Sequence, residues 1–121
     1  MTQFEAVMNQ EPQLRYNYFI KKVCETKEVW VLYKDSCAQI IDPQGNTLFP
    51  FFPEKEFADV LAEGTEFKAE SLNLVEFVNE WLLQMKKDNV KPAIFPNGQN
   101  MRVVSVDLLV TDLQKEIEKL K

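Results

Sequence analysis

The sequence predicts an α+β fold: a single domain with an antiparallel meander and hairpin sheet packed with about four helices. Three observations carry that expectation. Stretches with apolar residues three and four positions apart alternate with short β-branched and aromatic runs. Turn signals, Asp42-Pro43-Gln44-Gly45 and Asn97-Gly98, separate the runs. A chain of 121 residues supplies one core and no spare length for another, so residues 1–121 are expected as one domain.

Residues 2–8 carry only a faint helical pattern, and residues 1–10 are expected as a short turn or a frayed arm. A helix follows over 11–26. Pro12 suits its first turn, where the missing N–H has no helical partner anyway. Tyr16, Phe19, Ile20 and Val23 form one apolar stripe, with Arg15, Lys21 and Lys22 off it. The run 29–33 reads as a strand. Lys34-Asp35-Ser36 turns the chain, and 37–41 returns as a second strand. After the Asp42–Gly45 turn comes a third strand over 47–51, which Pro50 limits to an edge, a bulge or an ending. Residues 53–63 read as a short helix stopped by Gly64, and 66–72 as a weak strand. Asn73 caps the best helix in the chain, with Leu74, Phe77, Val78, Trp81, Leu82 and Met85 as its stripe. Residues 90–95 and 101–105 flank Asn97-Gly98 as a hairpin. Ser105 then caps a last helix lined by Val106, Leu109, Val110, Leu113, Ile117 and Leu120.

Composition excludes several classes of function. There is no histidine, which removes Ser-His-Asp and Cys-His catalysis and the common zinc ligand sets. Fourteen basic against nineteen acidic residues give a net charge of −5, with no clustered basic stripe, so nucleic acid is not expected as a partner. No apolar run approaches the ~20 residues that cross a bilayer, so no membrane partner is expected. The N-terminus has neither the positive nor the apolar region of a signal peptide, and a cytoplasmic location is expected. Three scattered glycines, Gly45, Gly64 and Gly98, make no phosphate-binding loop. No cofactor and no metal are expected.

The groups that remain have plain explanations beside the functional ones. Ser36, Ser71 and Ser105 lack a base and fit turns or caps. Cys24 and Cys37 are expected as buried thiols rather than a disulfide or a nucleophile. Glu56, Asp59 and Glu63 are spaced to share a helix face; a solvated face is the expected explanation, ahead of a hard-cation site or an acid/base pair. The segment Leu48-Phe49-Pro50-Phe51-Phe52-Pro53 is the sharper case. In an extended chain Leu48, Pro50 and Phe52 point one way and Phe49 and Phe51 the other. Helices must cover both faces, or one aromatic set is left for a partner.

The order Tyr18-Phe19 with lysines after it, Glu28-Val29-Trp30, the Asp42 to Gly45 turn, Pro50-x-Phe52-Pro53, Phe57-Ala58, Glu76-Phe77 with Trp81-Leu82, and Ala93-Ile94-Phe95-Pro96 resembles the bacterial family called domain of unknown function 2750. The resemblance covers about residues 14–113 and rests on the order of the elements, since none of these motifs is catalytic. Val31 departs from a common glycine, Phe52 from a second tryptophan and Leu83 from a proline; bulk is largely kept. The resemblance implies a bacterial, cytosolic, single-domain protein and brings no established activity. The element order is also similar, as a fold-level analogy, to small bacterial immunity and secretion-associated accessory domains.

These readings lead to a non-enzymatic protein–protein interaction module that is immunity- or accessory-like. Trp30, Phe49 and Phe51 are its expected anchors and Glu54 and Glu56 its charged rim. One alternative is a small-ligand binder or enzyme using carboxylates near the strand ends, Glu28, Asp35 and Asp42. Another is a structural homo-oligomer that pairs proline-limited edge strands.

Overall fold

The helices start where the sequence provides caps. In the computed structural model, which describes residues 2–120, Thr2 accepts from the Glu5 N–H and opens α1 (Gln3–Met8). Glu11 is extended ahead of Pro12, and α2 (Pro12–Thr26) ends at Lys27, which adopts a left-handed φ of 65°. α3 (Lys55–Ala62) stops just before Gly64, whose φ of 80° favours glycine. The Asn73 side chain accepts from the Val75 and Glu76 amides and caps α4 (Leu74–Glu76). This helix passes without a break through a π-helical turn (Phe77–Trp81) into α5 (Leu82–Lys87). Ser105 caps α6 (Val106–Lys119) through the Leu108 N–H.

The strands form two sheets, mostly antiparallel, and the α+β class holds. β1 (Glu28–Lys34) lies between β2 (Ser36–Cys37) and β5 (Lys68–Asn73), and it pairs with β5 along six residues. The second sheet has the order β3 (Ile40–Ile41), β4 (Thr47–Phe51), β6 (Lys91–Ile94) and β7 (Arg102–Val103). The return strand expected over 37–41 is therefore split. Its first half pairs with β1 and its second half with β4, and the Ala38 N–H to Leu32 carbonyl bond of 2.8 Å marks the crossing. β4 and β6 run parallel, which their long connection through α3, β5 and α5 permits. β6 and β7 make the expected hairpin.

Pro50 sits inside a paired strand because its missing donor faces a gap. Phe52 exchanges both backbone bonds with Trp30, at 2.9 and 3.0 Å, so Pro50, two residues earlier, points the same way. On that side β3 has already ended at the Ile40–Leu48 pair. One face of β4 is covered and the other is covered at Phe51 but only partly at Phe49. Leu48 and Phe52 are buried on one, and Phe51 on the other meets Phe77 edge to face at 4.8 Å. The Trp30–Phe52 bridge also joins the two sheets.

Arg15 departs from expectation. The sequence reading left it off the apolar stripe, yet it is 0% exposed, the one charged side chain in the core of the described residues. Its Nε donates to the Phe95 carbonyl at 3.0 Å and Nη1 to the Gln10 carbonyl at 2.6 Å. Nη2 donates to the Asn100 carbonyl at 2.9 Å and to Asn100 Oδ1 at 2.6 Å. Four oxygens thus replace water around the guanidinium, and burial lowers its pKa. Phe95 has a φ of 54°, a strained conformation for a bulky residue. It is held there by its amide on Phe51 O (2.8 Å), its carbonyl on Arg15, and its ring against Phe57 at 4.7 Å. Phe57 in turn stacks on Phe4 of α1 at 4.8 Å.

Arg15→Ala strands these acceptors and empties a core volume, so urea denaturation is expected to show a loss of about 3 kcal/mol or more. Arg15→Lys is expected to recover less than half of the loss, because an ammonium cannot reproduce the planar fork.

Candidate functional site

The place where the chain crosses between sheets leaves a groove. The end of β1, the β2 hairpin, β4 and the π turn with α5 enclose about 550 Å³. Tyr33, Phe49 and Trp81 supply its aromatic surface, Cys37, Met85 and Val90 its apolar floor, and Asp35, Glu80 and Asp88 its charge; Ser36 and Gln84 complete the lining. Among the described residues no lysine or arginine lines it.

Trp81 reaches the groove because of the π turn. In a regular α-helix position 81, four after Phe77, would continue the buried row. Here the Leu82 N–H bonds to the Phe77 carbonyl, one residue further along than in an α-helix. Leu82 takes the core position instead: Phe77 and Leu82 are both 0% exposed, while Trp81 is half-buried in the groove wall. The sequence stripe had assigned Trp81 to the core. Single π turns are frequent at functional sites, where they re-aim a side chain.

The acidic groups are held by ordinary local bonds. Asp35 occupies the hairpin apex with a φ of 61°, and the Tyr33 hydroxyl donates to its carbonyl at 3.1 Å. Gln84 Nε2 donates to both Asp88 oxygens, at 3.1 and 3.2 Å. Cys37 is buried at the base of the groove, and burial pushes its thiol up to about 12. It is therefore a neutral, apolar surface at ordinary pH and no nucleophile. Cys24 is buried in the same way, its thiol raised by burial and then by Glu116. The groove offers stacking surface and negative charge.

The five residues expected at a partner surface lie in different surroundings. Phe49 lines the groove. Phe51 is fully buried against Phe77 and is a core residue, because α4 and the π turn cover its face of β4. Trp30 is half-buried in the middle of β1, where its backbone makes the bridge to Phe52. Glu54 and Glu56 line a separate cleft of about 330 Å³ beside Phe4, Tyr18 and Lys22, and the Tyr18 hydroxyl donates to Glu54.

The carboxylates weighed for catalysis also separate. Glu28 and Asp35 are at opposite ends of β1. Asp42 is occupied by its turn, where Oδ1 accepts from Gln44 N and Asn46 N and Oδ2 from Asn46 Nδ2; these bonds lower its pKa. On α3, Asp59 pairs with Lys55 at 2.8 Å. Among the described residues no three His, Cys, Asp or Glu side chains gather as a metal site would require, and no helix is long and apolar enough to cross a membrane.

Sequence reasoning missed Tyr33, Glu80, Trp81 and Asp88 as a set. One signal was present: Trp81 and Leu82 are adjacent, about 100° apart on a helix, so both cannot occupy the centre of one stripe.

A family model described as a protein of unknown function (DUF2750) matches residues 16–117. No curated protein matches the chain.

The thiols give this environment a direct test. A disulfide reagent at about pH 8 is expected to modify neither cysteine in the folded protein and both after denaturation. The folded Cys37 pKa, about 12, is above its unfolded value near 9.0, so its contribution to stability is full below pH 9 and lost as pH rises toward 12. Urea midpoints are expected to fall across that window, and to fall less in Cys37→Ala.

Proposed function

We propose, for a chain that belongs to the DUF2750 family of proteins of unknown function, a non-enzymatic role as a protein-interaction module. Its groove receives a partner segment that carries a lysine or arginine on an apolar background. The single observation that carries this reading is the lining itself: three aromatics and three carboxylates around about 550 Å³, with no basic residue among them. An aliphatic stem packs on Trp81, Phe49 and Tyr33 while its cationic head meets Asp35, Glu80 or Asp88. The net charge of −5 steers a basic partner toward the protein from a distance.

Glu54 and Glu56 add to that field from the neighbouring cleft. Trp81 and Phe49 are the anchors of this reading, since exposed aromatics in a pocket dominate interface energies. The absence of an activated nucleophile in the groove favours binding over chemistry: Cys37 is neutral, and among the described residues the Ser36 hydroxyl is hydrogen-bonded to no carboxylate.

Trp81 emission, followed in a Trp30→Phe background, provides the measurement for the parent groove, and the anisotropy of dye-labelled peptides provides it for every variant, including Trp81→Ala. Short apolar peptides with a central lysine or arginine are expected to shift it and to bind at least about tenfold tighter than the same peptides with glutamate. Trp81→Ala is expected to abolish binding while leaving the thermal midpoint close to that of the parent. Equal affinity for acidic and basic peptides, or binding indifferent to Trp81→Ala, overturns the proposal. A response to free alkylamines without added affinity for peptides would reassign the groove to a small ligand.

A further inference from the structure

β5 is an outer strand with an open edge, since among the described residues β1 is its only neighbour in the sheet. Backbone directions follow from the bonds of β1. Trp30 exchanges both its bonds with Phe52, and the Leu32 carbonyl accepts from Ala38, so the even residues of β1 face away from β5. The odd residues face toward it, and they pair as Val29 with Leu72, Val31 with Glu70 and Tyr33 with Lys68. Ala69 and Ser71 therefore direct their N–H and C=O groups outward. Among the described residues no backbone group bonds to them. Lys68, Glu70 and Ser71 are exposed along the same edge.

Open edges are usually blunted by charge. On β5 the two charges are of opposite sign, two residues apart, and they flank Ala69. Antiparallel pairing about a twofold axis through Ala69 lets the two Ala69 residues exchange N–H···O=C bonds. It also sets Lys68 directly opposite Glu70 of the second copy, and Glu70 opposite Lys68, on one face. A register centred on Glu70 would oppose two glutamates, and one centred on Ser71 would oppose Glu70 to Leu72. Ala69 is the centre that satisfies both the backbone and the charges.

We propose that this edge is a self-complementary interface, through which a second copy of the chain adds its β5 antiparallel to the first and makes one continuous sheet across the dimer. The two-residue alternation of β5 supplies both requirements, bonding groups at 69 and 71 and paired charges at 68 and 70. The interface does not involve the groove, and it stands independently of the partner assigned there.

Sedimentation of the full chain over a concentration series tests it. A weak, reversible dimer is expected. Glu70→Lys, which sets lysine against lysine at both flanking pairs, raises the dissociation constant by about tenfold or more. The double exchange Lys68→Glu with Glu70→Lys restores it to within about threefold, because the pairs are reversed but remain opposite. Thermal melts of each variant confirm that these exposed substitutions leave the fold intact. A monomer up to about 1 mM, a range that covers weak association, overturns the proposal. So does a dimer that ignores Glu70→Lys or that the double exchange fails to recover.

Discussion

A buried guanidinium with no carboxylate partner among the described residues holds the two ends of this fold together. Arg15 sits in the first turns of α2, and its bonds reach Phe95 and Asn100, 80 and 85 residues away, as well as Gln10 at the end of the N-terminal segment. Desolvating the charge is costly, so the oxygens that replace water must all be in place. That requirement fixes where β6 ends, how the β6–β7 connection lies on α2, and why Phe95 tolerates a left-handed backbone. With Phe95 in place its ring fills the space between Tyr18 and Phe57, and Phe57 seats α1 through Phe4.

The groove is a by-product of how the two sheets are joined. A continuous hairpin over 29–41 would have left the edge of β1 covered. The chain instead leaves β2 at Cys37 and reaches β4 by way of β3, and Trp81 and Phe49 both line the gap beside that crossing. The Trp30–Phe52 bridge keeps the gap from widening further along the strands. Acidic side chains collect at the rim because β1 ends there at Asp35, and the helix brings Glu80 and Asp88 along the other wall.

Local signals carried the elements, and long-range ones did not. Asn73 and Ser105 announced their helices, and both act as caps. The Asp42–Gly45 turn closes with the expected bond, Gly45 N–H to Asp42 carbonyl at 2.9 Å. β5 was faint because an edge strand with only partial burial shows little alternation. Its full pairing with β1 is a contact across some forty residues that no local pattern encodes. Arg15 was hidden for the same reason, since three of its four acceptors are backbone oxygens that any sequence would supply and the fourth, Asn100 Oδ1, is 85 residues away. The site was the least legible part. Phe49 and Phe51 are equivalent by alternation, and only the helix lying over one of them distinguishes surface from core.

A π turn amounts to one residue more than the helix needs to connect its ends. Phe77 and Leu82 dock the two halves, and Trp81 occupies the position that the extra residue releases. The residues that must fit the interior and the residue presented at the groove wall are thereby different ones. Side chains at the groove wall can therefore change without refitting the interior, and the surface is free to diverge faster than the shape that presents it.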